Sequence, residues 1–244
     1  MKSYYYDLHV HSCLSPCGDD DNTPNNIAGM AKLCGLDVVA LTDHNSCRNC
    51  PAFFEATARY GIIPIAGMEL TTAEDIHVVC LFERLSDALA FDEYIEKGRI
   101  KFRNKPEIFG NQHILDGEDR LIGEIEDLLI NASSVSVDEV VGLVNEFGGI
   151  CYPAHIDRES NGIIAVLGTL PMDIGFTIFE LHDKENIEKY SKLYGIDKER
   201  FIISSDAHYL TDMRDKENCF SIDDGLRDDE VRRLIFEILR RASK

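Results

Sequence analysis

Positive charge is scarce in this sequence. Lys and Arg total 25 against 44 Asp and Glu, a net charge of −19 over 244 residues. Stable, sequence-independent binding to DNA or RNA rests on neutralising phosphates with a basic surface. The deficit therefore argues for a small phosphorylated substrate as partner and against stable nucleic-acid binding, since bound cations can reverse the field locally. Also missing is any apolar run of roughly 18 residues, the length needed to span a membrane. The first residues, Met1-Lys2-Ser3-Tyr4, lack the apolar stretch of a secretory leader. A cytoplasmic protein without membrane association is the expectation. Internal repeats and low-complexity segments are absent as well.

What is present suits one globular α/β domain over 1–244, with 44% hydrophobic and 28% charged residues to supply a core and a surface. Of eight cysteines, Cys13, Cys17, Cys34, Cys47 and Cys50 fall in the first fifty residues. In a cytosolic chain they read as thiols or metal ligands before disulfides.

The stretch Tyr4-Tyr5-Tyr6-Asp7-Leu8-His9-Val10-His11 reads as a strand entering a core. Residues i and i+2 of a strand share a face, so His9 and His11 can clamp one ion. Thr23-Pro24 starts a helix that Gly35 ends. Residues 37–41 read as a strand, apolar from Val38 to Leu41 as in one buried on both faces, and lead into Thr42-Asp43-His44. A helix follows from Pro51 to Gly61, then a strand over 62–67 leading to Met68-Glu69, a strand over 75–82 containing His77, and a helix capped by Ser86. Residues 101–132 interrupt this alternation. They read as an insertion beside the active face, with a hairpin in 108–125 turning near Asp116-Gly117.

The alternation resumes with a Ser136/Glu139 capping box. A strand over 150–152 runs into Pro153-Ala154-His155, and another spans 176–182. A strand at 201–204 meets Ser205-Asp206-Ala207-His208, and a helix covers 228–241. Repeated strand–helix units imply a parallel sheet. About seven strands suggest a barrel with its chemistry at the strand C-termini. There lie His9, His11, His44, Glu69, His155, Asp206 and His208, while His77 sits inside an apolar strand. Ordinary surface polarity does not repeat this placement over six strands. Imidazole with carboxylate suits zinc, iron or manganese better than calcium or magnesium.

These ordered segments, from Asp7-Leu8-His9-Val10-His11-Ser12 to Ser205-Asp206-Ala207-His208, resemble the motifs of the PHP (polymerase and histidinol phosphatase) family over essentially the whole chain outside the insertion. The resemblance implies a distorted (β/α)7-type barrel with a hairpin-containing insertion. It also implies two or three divalent metal ions (zinc, iron or manganese) and phosphoester hydrolysis through a metal-bound hydroxide. Carried over by position, the first metal takes His9, His11, Glu69 and Asp206. The second shares Glu69 and adds His77 and His155. The third takes His44 and His208 with a residue of the loop after the first strand.

Family members place a histidine in that loop, or an aspartate one position earlier. This chain has Cys17 and Pro16. Either Cys17 supplies a thiolate, or Asp19 reaches in, or the third site is weak. The implied catalytic set is His9, His11, Glu69, Asp206 and His208, with Arg158 gripping a substrate phosphate. Asp7 and Asp43 would orient imidazoles; Asp157 and His182 are lesser candidates, and His113 takes no role. Cys47-x-x-Cys50, with Cys13 and Cys17, flanks the same mouth, as a zinc–thiolate site, a redox-sensitive pair or plain thiols.

The function expected is metal-dependent hydrolysis of a small phosphomonoester or nucleotide. The alternatives are a 3′-5′ exonuclease, a histidinol-phosphate phosphatase or, in another class, a non-catalytic metal-binding regulatory module.

Overall fold

A computed structural model describes residues 1–241; residues 242–244 of the expected domain lie outside the described residues. The central sheet has the order β10-β1-β2-β3-β4-β7, built from β1 (Lys2–Val10), β2 (Val38–Leu41), β3 (Ile63–Thr71), β4 (His77–Phe82), β7 (Ile150–Pro153) and β10 (Cys219–Ile222). Two parallel strands, β8 (Phe179–Leu181) and β9 (Phe201–Ile203), complete the wall. The Ile156 amide donates to the Glu180 carbonyl at 2.9 Å, tying the end of β7 to β8. The His11 amide donates to the Ala207 carbonyl at 3.0 Å, tying the segment after β9 back to β1. The sheet therefore curls into the expected distorted seven-strand barrel, with β10 added at the edge of β1.

The barrel is not all parallel. β1, β2 and β3 run parallel, but β4 is antiparallel to both β3 and β7. Only residues 72–76 join β3 to β4, too few for the dozen or more a parallel crossover needs. The chain turns through Asp75 at φ 68 and returns. This corrects the placement of His77. It is the first residue of β4, and reversal brings that end to the mouth where the other strands finish.

Helices α1 (Pro24–Leu33), α2 (Cys50–Tyr60), α3 (Leu85–Gly98), α5 (Val137–Glu146), α6 (Ile163–Leu167) and α7 (Ile187–Tyr194) accompany the strands, and α8 (Asp228–Arg241) follows β10. The Thr23 side chain accepts from the Asn26 amide as expected of an N-cap, and Gly61 ends α2 at φ 66. The Ser136/Glu139 capping box does not form. Glu74 takes its place, its Oε2 accepting from the Val137 amide at 2.9 Å.

Alternation along the strands sorts the core into two layers. Val38, Ala40, Ile63, Ile65, Val79, Leu81 and Tyr152 face inward, where Ile235, Phe236 and Leu239 of α8 join them. Val39, Leu41, Ala66, Met68 and Cys80 face outward into a second cluster with Ile27, Phe53, Phe91 and Val140 of the helices. Burying a side chain of this size fully is worth about 1.5–3 kcal/mol, so both faces of the wall hold the strand ends in place.

Residues 101–132 contain the short helix α4 (Pro106–Phe109) and a hairpin, β5 (His113–Leu115) with β6 (Leu121–Glu124). The neck is held by Arg99, whose buried guanidinium donates to the carbonyls of Asp127 and Leu128 at 3.2 Å.

Candidate metal centre

The site is built around Glu69, near the end of β3, whose side chain is 1% exposed. Its Oε1 lies 2.9 Å from His77 Nδ1, 3.2 Å from His155 Nε2 and 3.3 Å from His9 Nε2. Its Oε2 lies 3.0 Å from His44 Nδ1 and 3.4 Å from His11 Nε2. Asp206 Oδ1 closes the set, 3.3 Å from His9 Nε2 and 3.2 Å from His11 Nε2. As the strand period requires, His9 and His11 face the same way, their Nε2 atoms 3.1 Å apart.

The chain is bent sharply to achieve this. His155 has φ 27 and Asp206 φ 53, conformations that non-glycine residues adopt at a cost of order 1–3 kcal/mol each. Both residues follow strand ends, where an extended continuation would carry the side chain away from the mouth.

Five imidazoles crowd one carboxylate, and hydrogen bonds among them leave several atoms unsatisfied. Glu69 Oε2, Asp206 Oδ1 and His44 Nδ1 are buried and have no hydrogen-bond partner. Groups of this kind fit divalent cations. Three sets have ligand atoms within 4.8 Å of one another: His9, His11, Glu69 and Asp206; His44, Glu69 and His77; and His11, His44 and His208. The first coincides with the set expected for the first metal. The others divide the residues differently from expectation, with His44 beside Glu69 and His77, and His11 beside His44 and His208.

The charges are strongly coupled. Burial alone would raise Glu69, but His77, His9 and His44 hold it well below the usual carboxylate range. Burial opposes charge on His11 too, yet Asp206 and Glu69 raise it to about 9. His44 and His208 go the other way. Burial lowers His44 to about 3 and His208 to about 4, so both are neutral at pH 7, the form that ligates metal.

Supporting contacts differ from those expected. His9 Nδ1 meets the carboxylate of Glu180 at 2.9 Å, and His11 Nδ1 meets Ser15 Oγ at 2.9 Å. Ser15 Oγ also donates to Asp43 Oδ1 at 2.8 Å, so Asp43 acts on His11 through a hydroxyl rather than directly. Asp7 accepts from the backbone amides of His9 and Ser205. Glu180 went unread in the sequence; its signal is a lone carboxylate in the apolar run Phe176–Leu181.

Cys17 lines the mouth with His44, but its sulfur joins none of the three sets. Protein crowding around this otherwise accessible thiol, with the Glu69 charge, pushes it up to about 12. Asp19 Oδ1 caps the Asp21 amide. Arg158 contacts Asp206 through Nη1 and His182 through Nη2 at 3.0 Å, and Arg214 reaches His182 at 3.4 Å. Asp157 accepts from the amides of His182 and Asp183, and His113 lies 3.3 Å from Glu124. All eight cysteines are unpaired. Cys47 and Cys50 point into the core, their thiols donating to the Gly67 carbonyl at 3.1 and 3.7 Å. No sulfur among the described residues belongs to a metal-holding set.

Residues 7–196 match the PHP domain family. An uncharacterized protein of Methanocaldococcus jannaschii is 34% identical over 100 residues, 37% of this chain and 58% of that one. A PolC-type DNA polymerase III of Thermotoga maritima is 27% identical over 180 residues, 62% of this chain and 13% of the polymerase. The chain thus spans less than two thirds of either relative. Among solved structures, a lesion-specific endonuclease from Pyrococcus furiosus aligns with TM-score 0.64 and 19% identity, over 97% of this chain and 56% of that one. A Bifidobacterium adolescentis protein assigned as a metal-dependent phosphoesterase aligns with TM-score 0.59 and 20% identity, over 98% and 96%. Endonuclease Q, solved on a 27-mer duplex with an abasic lesion at its active site, aligns with TM-score 0.56 and 19% identity, over 86% and 50%.

These neighbours overturn the expectation of a small phosphorylated partner without stable nucleic-acid binding. The error was physical. Net charge sums the whole surface, whereas a substrate meets the field of the mouth, where Arg158 and Arg214 stand beside groups fit to hold cations.

Proposed function

This chain belongs to the PHP domain family, and on that premise we propose that it is a metal-dependent phosphoesterase acting on a nucleic-acid substrate. The observation that carries the reading is the buried carboxylate of Glu69, faced by His9, His11, His44, His77 and His155, with Asp206 beside it. Those residues and His208 would hold two or three divalent ions. Bound there, the ions supply an activated water and positive charge for the phosphoryl oxygens.

The chain's own residues do the rest. Glu180 accepts a hydrogen bond from His9 Nδ1 and leaves Nε2 to face the centre. Ser15, held by Asp43, fixes the His11 ring in the same way. Outer contacts of this sort are worth about 10–100-fold in metal affinity or activity. Arg158 is partly exposed and borders Asp206, so its planar fork can accept a substrate phosphate and restrain its orientation. Arg214 adds a second guanidinium at His182. The nucleic-acid substrate is supported by the likeness to PolC and to endonuclease Q. Residues 101–132 are, on this reading, an insertion in the barrel that shapes the substrate's approach.

The test is hydrolysis of a panel of single-stranded, duplex and abasic oligonucleotides by metal-loaded protein, with a chelated control and Glu69→Gln. Phosphodiester cleavage that needs metal and Glu69 is the expected result. Metal-loaded protein that cleaves none of the panel overturns the reading.

A further inference from the structure

The reaction centre opens on one side into a cavity of about 600 Å³. His44 and His77 form its inner end. Its outer walls come largely from residues 101–132: Phe102 and Phe109, with Leu128, Ile130 and Asn131. The volume lies within the range of pockets that enclose small organic groups.

We propose that this cavity is a nucleobase subsite, holding the base next to the phosphate that the metal centre engages. The inference rests on the function proposed above and adds to it a specific subsite.

Three observations carry it. The first is chemistry: two aromatic rings and an aliphatic floor offer a face for a flat π-system, and base–aromatic stacking tolerates any base. The second is charge. No Lys or Arg lines the cavity and the carboxylate of Asp75 does, so phosphates have no partner there and the ligand part it takes is not an anion. Phosphate instead has the metal-ligand end and the guanidiniums beyond Asp206. The third is an available reader. The Asn131 side-chain amide has no hydrogen-bond partner among the described residues, while its carbonyl is occupied by Asn45 Nδ2 at 3.0 Å. An amide presents the donor–acceptor pair that matches a base edge.

The wall is set in register with the metals. Asn45, the residue after His44, has φ 48 and is buried. Its Nδ2 also donates to the Leu129 carbonyl at 2.6 Å, and its Oδ1 accepts from the Thr71 amide at 2.9 Å. One side chain thus joins a metal-ligand loop, the end of β3 and the cavity wall. On the far side, Gly110 at φ 96 packs against the Pro16 carbonyl so closely that a Cβ would lie 2.1 Å from the oxygen. That contact brings Phe109 over the loop after β1.

The experiment compares two trinucleotides that differ only in a terminal base or a terminal abasic tetrahydrofuran unit. Wild-type protein should cleave the base-bearing end with a kcat/KM about tenfold higher or more. Phe102→Ala and Phe109→Ala should erase that ratio by raising KM, and Phe→Leu at either site should fall between. Asn131→Ala should change preference among the four bases. Equal loss on both substrates in the Phe variants, with the ratio kept, overturns the proposal.

Nucleoside binding followed by ligand-observed NMR separates the subsite from the reaction. It should persist in Glu69→Gln and vanish in the Phe102→Ala/Phe109→Ala double variant. Absence of nucleoside binding to wild-type protein overturns the subsite, whereas absence of phosphodiester cleavage with binding retained overturns only the activity.

Discussion

The metal centre and the 101–132 segment face the same mouth but are made by opposite means. Ligands of the centre stand on strand ends, with both faces of the barrel wall packed and with Glu69, His9 and His11 essentially inaccessible. The segment presents large apolar side chains to solvent, among them Phe102, Ile108, Leu121 and Ile122. It is tied down by polar anchors along its length: Arg99 at its neck, Gln112 across it, Asn45 beneath it, and Asn49, Asn25 and Thr23 against the hairpin. A packed centre with a rim held by polar anchors separates the two demands on such a site. The chemistry needs atoms held to fractions of an ångström, while substrate choice can change through side chains whose loss the fold tolerates.

The largest effect should come from the centre. Glu69→Gln removes the charge shared by five imidazoles, and turnover should fall beyond the roughly 10²–10³-fold seen for loss of one electrostatic group. Metal content by elemental analysis should fall with it; near-native turnover would break the contrast at once. Next, chelation should lower the melting temperature, because ions at about 100 times their Kd stabilise the folded state by about 2.7 kcal/mol. A Phe102→Ala variant should show the same chelator-induced shift as the parent; a different shift would show that rim and centre are one unit.

Glu180→Gln should weaken metal binding by about 10–100-fold, read by competition with a chromogenic chelator, with the fold intact by circular dichroism. Asn45→Ala should cost about 1–3 kcal/mol by denaturant unfolding, since it unmakes buried hydrogen bonds on both sides. It should also open residues 101–132 to proteolysis before the barrel. Uniform resistance would mean that the rim is held by something other than Asn45. The smallest effect is on stability in Phe102→Ala, within about 0.5 kcal/mol by the same unfolding measurement, as for an exposed side chain.

Much of the centre was legible because its residues punctuate apolar runs. His44 ends the run of β2, and Asp206 and His208 follow that of β9. The direction of β4 was not legible from periodicity, which is identical in parallel and antiparallel strands; only the shortness of 72–76 betrays it. β10 was missed because Cys219–Ile222 is a short edge strand with exposed alternate residues. Glu180 was missed because a carboxylate near a strand end reads as a solvated cap until the imidazole it meets, 171 residues away, is seen. Cys17 was placed by analogy of position. The three ligand sets close without it, and its distance from them depends on the loop path past Pro16, which no sequence pattern encodes.

The return of the chain to β1 has a kinetic consequence. Lys2 pairs with Ile222 and Val10 with Ala207, so the first strand's outer partners are made some two hundred residues after it. At a synthesis rate of about 5–20 residues per second, that edge waits roughly ten to forty seconds on the ribosome. During that interval Tyr4, Leu8 and Val10 belong to an open strand, the kind of edge that recruits other chains. Such distant pairings slow folding intrinsically. The histidines of β1 therefore acquire Asp206 and Glu180 only at the last step of closure, and metal added before that step meets an incomplete ligand set.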